Sequence, residues 1–393
     1  MKLLVIGCGQ CGGRIADEFA RLNVKARAQR GIEVTTGTFA VNTDIADLSE
    51  LSHIRRDYQH RILIGNQRTG GHGVGKINEL GAEIAREDGD KVIDAIRTAP
   101  QFAETDAFLL ISSAAGGTGS GAIATLTEQM KERYISKPVY NLIVLPFLHE
   151  EQTEERTVYN TATCLKSSYL VADAVFLVDN QRYVRKSFSA KDNLIKINTS
   201  VVDPFYDLLC AGEEKKPEYI GAKILDAGDI IQTLVGWTVI GYGKAQTSRL
   251  IRFPFNKERD FRDKVTETHK GIQALQGAIS ELSLKCSATD AKRALYLVSG
   301  PPKEINMDMI KSLGSFTKSV ATEAIIRTGD YPRGKDSIGV TLVLSELANV
   351  TKVMDYFTKT INYIDAAKRK WGRAEYEHKT IEDIFKDIPS LLG

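Results

Sequence analysis

A chain of 393 residues with 42% hydrophobic and 26% charged residues is too long for one small domain and too apolar for a disordered or fibrous protein. The 52 basic and 50 acidic residues leave a formal net charge of +2, which supplies no global field for holding nucleic acid or an anionic membrane. No run of about 18 apolar residues exists to span a bilayer, and the apolar start Leu3 to Ile6 is too short for a signal peptide; a cytoplasmic protein is expected.

The first half alternates short apolar runs with amphipathic stretches, the rhythm of parallel strands and crossover helices. Strands are predicted at Lys2 to Ile6, Gly37 to Val41, Arg61 to Ile64, Ala107 to Ser112, Val139 to Leu145 and Ala174 to Val178. Each is nearly continuous in apolar residues, as a strand covered on both faces is. Helical spacing links Ile15, Phe19 and Leu22, then Val92 and Ile96, then Ile123, Leu126 and Met130. A further helix is predicted from Asn198 to about Cys210, opened by the cap-rich Asn198, Thr199 and Ser200. The polar run Ala211 to Glu218 reads as a solvated loop that ends it.

Beyond that loop the rhythm changes, with strands predicted at Trp237 to Tyr242, Ala294 to Ser299 and Ser337 to Leu344 and long helical runs at Lys257 to Leu284 and Val350 to Trp371. The expected architecture is α/β: a Rossmann-like parallel-sheet domain over 1–196, a central linking helix at 197–213, a second, smaller α/β domain at 214–375 and a tail at 376–393. There is no internal repeat and no low-complexity tract.

Five scattered cysteines argue against a disulfide framework. Cys8 and Cys11 have the spacing of a redox pair or half a zinc site, but no second pair completes a tetrahedron, and no metal site is expected from them.

Three glycine-rich stretches follow strands: Gly7–Gly13 (GCGQCGG), Gly70–Gly75 (GGHGVG) and Ala115–Gly121 (AGGTGSG). Several backbone N–H groups aimed at one point, at the positive end of a helix, hold a phosphate, and side chains would block that approach. Gly7-x-Gly9-x-x-Gly12 matches a dinucleotide fingerprint, with a ligand-free tight turn as the competing reading; the first acid after the second strand, Asp44, comes about ten residues too late for the dinucleotide reading. Gly70 to Lys76 has Walker spacing with Ile77 where a Ser or Thr belongs, and the third loop carries Ala122 where the lysine belongs.

The third loop resembles the signature of the tubulin/FtsZ superfamily of GTPases. Gly7–Gly13 matches its first phosphate loop, Phe39–Asp44 (FAVNTD) its second, and Pro146-Phe147 with Glu150 and Glu151 its ribose-side loop. Gln10 and the Gly119-Ser120 pair lean toward tubulin, the chain length toward FtsZ, and the mixture is most similar to the archaeal CetZ group. The resemblance implies GTP and GDP as ligands with Mg²⁺. The implied binding residues are Gly9, Gln10, Cys11, Gly12, Asn42, Asp44, Ala115, Gly116, Gly117, Thr118, Gly119, Ser120, Glu151, Arg156, Asn180 and Asn198. Asn180 and Asn198 would read the guanine, Arg156 would approach the phosphates, and Asp44 would act through magnesium or water. An amide suits the base because it both donates and accepts; for Asn198 alone, a helix N-cap is the competing reading.

It further implies hydrolysis completed by a neighbouring subunit, through a loop of pattern Asn-x-Asp-x-x-Asp/Glu. Here that loop is Ile224–Asp229 (ILDAGD), which keeps both acids, Asp226 and Asp229, and replaces the asparagine by Ile224. A carboxylate can orient water for in-line attack on a phosphoryl group. The expected partner is a second copy in a head-to-tail filament, with cell-shape control as the CetZ-like role and a division ring as the FtsZ-like one. Asp387–Leu392 (DIPSLL) resembles the FtsZ peptide that docks on membrane adaptors. A dinucleotide-dependent oxidoreductase and a non-catalytic nucleotide-binding regulator stand as alternatives of other classes.

Overall fold

The computed structural model describes residues 1–184, 189–246, 261–334 and 336–371. In chain order the first part runs β1 (Leu3–Cys8), α1 (Gly9–Arg30), β2 (Thr35–Asn42), α2 (Ile45–Ser49), β3 (Arg61–Leu63), α3 (Asn66–Thr69), α4 (Asn78–Arg97), β4 (Ala107–Ser113), α5 (Thr118–Arg133), β5 (Val139–Leu145), α6 (Leu148–Thr153), α7 (Glu155–Val171) and β6 (Ala174–Asp179). The six strands pair in parallel in the order β3-β2-β1-β4-β5-β6. Helices cover both faces, so β1, β5 and β6 are buried along their whole length. Alternation along β1 sends Leu4, Ile6 and Cys8 into one core and Leu3 and Val5 into the other.

Next come α8 (Ala190–Ala211), α9 (Ala227–Thr233), β7 (Gly236–Gln246), α10 (Phe261–Ser280), β8 (Ala291–Gly300), α11 (Met307–Val320), β9 (Ile325–Pro332), β10 (Ser337–Leu347) and α12 (Thr351–Trp371). Among the described residues the two parts share a single sheet. The first residues of β7 pair in parallel with β6, and its remainder pairs antiparallel with β10, which leads on to β8 and β9.

Helices α7 and α11 were not predicted from the sequence, and α8 and β9 depart from the sequence reading for identifiable reasons. The central helix α8 starts at Ala190, where Ser189 is its cap and accepts from the Asp192 N–H at 3.1 Å. Asn198, Thr199 and Ser200 therefore lie inside the helix instead of opening it. Strand β9 had no apolar run to announce it, because Ile325–Pro332 mixes charge, glycine and proline at the sheet's edge. The tail motif 387–392 lies outside the described residues.

Helix α8 is wedged between the two parts. Phe205 meets Phe19 of α1 and Phe176 of β6 edge-on at 5.4 and 5.2 Å. At the other side Asp207 is ion-paired with Arg333, both almost fully buried, and accepts from Ser299 of β8 at 2.9 Å.

Candidate functional site

The C-terminal ends of β1, β2, β4 and β5 release their chains into a cavity of about 690 Å³, the position where open α/β sheets bind ligands. Two helices begin there. The N-caps of α1 and α5 are Cys8 and Gly117, and neither helix has a side-chain cap, so their first N–H groups are left for a ligand. Bare N–H groups from two helices aimed at one cavity suit a polyanion.

The glycines are required by close approach. Gly9 sits at φ +71°, and a Cβ on Gly119 would fall 2.6 Å from the Cys8 carbonyl oxygen, so the first and third loops touch backbone to backbone. A Cβ on Gly117 would meet the second loop, at 2.6 Å from Val74 and 2.9 Å from the Ile77 nitrogen. Thr118 Oγ1 hydrogen-bonds Thr43 Oγ1 at 2.6 Å and ties α5 to the end of β2.

Of the residues implied by resemblance, Gly9, Gln10, Cys11, Asn42, Asp44, Ala115, Gly116, Gly117, Thr118, Gly119, Asn180 and Asn198 all line this cavity. Gln10 and Asn42 both donate to Asp47, at 2.6 and 2.9 Å, while Asp44 caps α2 by accepting from the Asp47 N–H at 3.1 Å. Asn180 arrives from the turn after β6 and Asn198 from α8, bringing amides from separate elements to one site.

Four of the expected residues do not line it. Gly12 packs inside α1, where a Cβ would come within 2.1 Å of the Ile111 carbonyl oxygen. The Ser120 hydroxyl turns back onto the Gly116 carbonyl. Arg156 pairs with Glu79 and donates to the Lys76 carbonyl at 3.2 Å, buttressing the second loop from behind. Glu151 is buried against α12, where Tyr356 and Lys359 donate to it, while its neighbour Glu150 lines the cavity. What turns Glu151 away from the cavity is this pair of donors on α12.

Sequence reasoning missed several contributors. Gly73 and Lys76 bring the second glycine loop to the cavity, and Lys76, at φ +63°, is ion-paired with Glu154 at 2.6 Å. The fully buried Asn160 donates to the carbonyls of Lys76, Ala115 and Gly116 at 2.9, 3.2 and 3.0 Å, pinning the second loop to the third. An asparagine in mid-helix is the one sequence signal for that role. His149, stacked at 5.5 Å on Phe147 of the expected ribose-side loop, and Asn193 also line the cavity.

Cys8 and Cys11 are free thiols that burial pushes up to about 12, which is unsuited to redox exchange. Among the described residues no group of three metal-ligating side chains occurs. Asp226 and Asp229 stand apart from the cavity. Asp226 caps α9, accepting from the Asp229 N–H at 2.9 Å; Asp229 lies 3.3 Å from Arg327, and neighbouring Ile224 is 52% exposed.

A sheet-end cavity lined by three glycine loops, two uncapped helix starts and convergent asparagines defines a nucleotide-binding domain of the tubulin/FtsZ class. The model of the tubulin/FtsZ family GTPase domain matches residues 2–187, and that of the tubulin-like CetZ C-terminal domain matches residues 189–362. Tubulin-like protein CetZ1 of Haloferax volcanii is 33% identical over 370 residues, covering 90% of each chain. The structure of GDP-bound monomeric CetZ1 from that organism superposes with a TM-score of 0.78 at 31% identity, covering 93% of this chain and 100% of that one. The GTPγS-bound protofilament structure of Haloferax volcanii CetZ2 gives 0.78 at 27% identity, covering 94% and 100%. The chain belongs to the tubulin-like CetZ family, and its first domain is a GTPase domain. The oxidoreductase alternative falls with this, since it used the first glycine loop alone. An FtsZ of M. jannaschii shares the fold at 21% identity and a TM-score of 0.66, covering 88% of this chain and 91% of that one. With the CetZ match to the second domain, the division-ring alternative is not favoured.

Proposed function

We propose that this chain is a cytoskeletal GTPase subunit that binds GTP in the cavity described and assembles head to tail with copies of itself, each subunit supplying Asp226 and Asp229 to its neighbour's nucleotide. The observation that carries this reading is the separation of parts within one subunit. The cavity gathers the three glycine loops, while the paired carboxylates stand elsewhere beside the exposed Ile224. Acids that cannot serve their own site can serve the next one, and such a heterologous contact propagates as an open filament. The GTPγS-bound protofilament of the CetZ2 relative is in keeping with it.

The residues fit the ligand. The N-termini of α1 and α5 would take the phosphates, and Asn180 and Asn198 the guanine edge. Asp44 would approach Mg²⁺, an ion that usually takes one or two carboxylates and fills its remaining positions with phosphate oxygens and water. When bound, that ion would offset phosphate charge. Asp226 and Asp229 would orient and accept a proton from the attacking water. GTP then favours the assembled state and hydrolysis weakens it, through differential affinity of the two states. We assign the chain a cytoplasmic role in cell shape; no helix among the described residues is long and apolar enough to cross a membrane. Docking of the 387–392 tail on a membrane adaptor belongs to the same proposal. Ile224 in place of asparagine favours a second reading, a nucleotide-binding regulator without turnover.

Asp229→Ala tests both. The polymer reading predicts retained GTP binding and assembly with turnover reduced at least a hundredfold. It also predicts recovery of turnover when that variant is mixed with subunits whose own cavity is disabled. Turnover equal to wild type in the variant would refute the assignment, and no turnover in wild type at any concentration would favour the regulator.

A further inference from the structure

Helix α12 reaches across from the second domain to the back of the nucleotide cavity. Three side chains, at spacings of four and three along it, make the contact. Lys352 Nζ lies 2.9 Å from Asp179 Oδ2, the Tyr356 hydroxyl donates to Glu151 Oε1, and Lys359 Nζ lies 3.0 Å from Glu151 Oε2. These spacings place all three on one helical face. The same face buries Val353 and Tyr356, and Thr360 donates to the Val158 carbonyl of α7 at 3.4 Å.

Both acids sit directly behind cavity-lining residues. Asp179 accepts from the Gln181 N–H at 3.1 Å and so fixes the turn that presents Asn180 and Gln181 to the cavity. Glu151 lies in the first turn of α6, between Phe147, His149 and Glu150 on the cavity side and α12 on the other. The two segments are joined in front by the Leu148 N–H, which donates to Gln181 Oε1 at 3.3 Å. This wall contains none of the three glycine loops. Its carboxylates are anchored by α12, and Glu151, whose side chain is 5% exposed, has two donors there.

We propose that Lys352, Tyr356 and Lys359 are positioning residues for the nucleotide: they hold the Asp179–Gln181 and Phe147–Glu151 segments in the geometry that receives the nucleoside, so that the second domain sets how tightly the first retains GTP and GDP. The inference rests on the cavity being the GTP site. It is independent of whether hydrolysis occurs in trans. None of the three touches the cavity, so they act through Asp179 and Glu151.

The test compares two probes, a fluorescent GDP and inorganic triphosphate as its competitor, with wild type, the double variant Y356F/K359A and the single variant K352A. Inorganic triphosphate engages only the helix starts and glycine loops. Each variant is expected to weaken GDP binding about tenfold, the worth of one charge-assisted hydrogen bond, and to leave triphosphate binding unchanged; K359R is expected to bind like wild type. Wild-type GDP affinity in both variants would overturn the proposal. Equal losses for GDP and triphosphate would also overturn it, by showing a general loss of structure. K352A keeps the test if the double variant does not fold. A wild-type chain that bound no GDP would overturn the reading of the cavity itself, a result distinct from either of these.

Discussion

Replacing Gly119 or Gly116 by alanine separates the two jobs of the third loop. At Gly119 the new Cβ would stand 2.6 Å from the Cys8 carbonyl oxygen and 3.2 Å from Ser112 Cβ, so α5 and the end of β1 must part. Overpacking of this kind costs about 1–3 kcal/mol of stability. The same displacement misaligns the α5 N–H groups with those of α1. Losing one well-aligned hydrogen bond to a charged ligand is worth about 1.5–3 kcal/mol, or about 10- to 150-fold in Kd. At Gly116 no protein atom lies within 4 Å of the new methyl, yet the residue lines the cavity, so alanine there intrudes only on space open to ligand and solvent. G119A should lose both thermal stability and GTP affinity, and G116A affinity alone. Thermal unfolding without nucleotide and titration with fluorescent GDP read the two quantities separately. A G119A protein with wild-type stability and affinity would refute the claim that backbone contact between the first and third loops builds the phosphate cradle.

Arg333→Met leaves Asp207 buried without its cation, which should cost about 3–5 kcal/mol in urea unfolding; R333M/D207L should recover most of it, and an unchanged R333M midpoint would show the pair contributes nothing. Asn198→Ala removes an amide from the cavity lining and, on the proposed reading of guanine by Asn198, should cut the preference for GTP over ATP about tenfold, with little change in stability, as measured by competition binding. Burial pushes all five thiols up, to about 12 for Cys8, Cys11, Cys164 and Cys210 and about 11 for Cys286. A raised thiol stays protonated, so iodoacetamide should label the native chain slowly at pH 8, faster as pH rises, and rapidly once the chain is unfolded; fast native labelling at pH 8 would contradict this. Asn160→Ala should free the second loop from the third and weaken GTP binding about tenfold, whereas unchanged binding would deny Asn160 its clamping role.

The sequence displayed its strands because β1, β4, β5 and β6 are covered on both faces and are therefore nearly continuous in apolar residues. The glycine loops were legible in part because close backbone approach at Gly7, Gly12, Gly117 and Gly119 leaves no room for a side chain. Strand β9 was hidden because an edge strand owes less to apolar burial, and Ile325 at its start is 64% exposed. The start of α8 was misread because Asn-Thr-Ser is a capping sequence wherever it occurs, and here Thr199 instead donates to Glu18 of α1 at 3.3 Å. The second glycine loop was set aside for lacking a Walker hydroxyl, although its part here is made by Gly73 and Lys76 at the cavity wall. Glu151 and Arg156 could not be told from true lining residues by spacing, since what turns them away are partners far off in sequence, Tyr356 and Glu79.

The central claim is that one subunit's acids complete its neighbour's site, and GTP turnover per subunit across a wide range of protein concentration in Mg²⁺ buffer tests it most directly. A threshold concentration followed by a rising rate per subunit is the predicted result; a constant, nonzero rate per subunit at every concentration would place the whole catalytic site within one chain and contradict the assignment of Asp226 and Asp229.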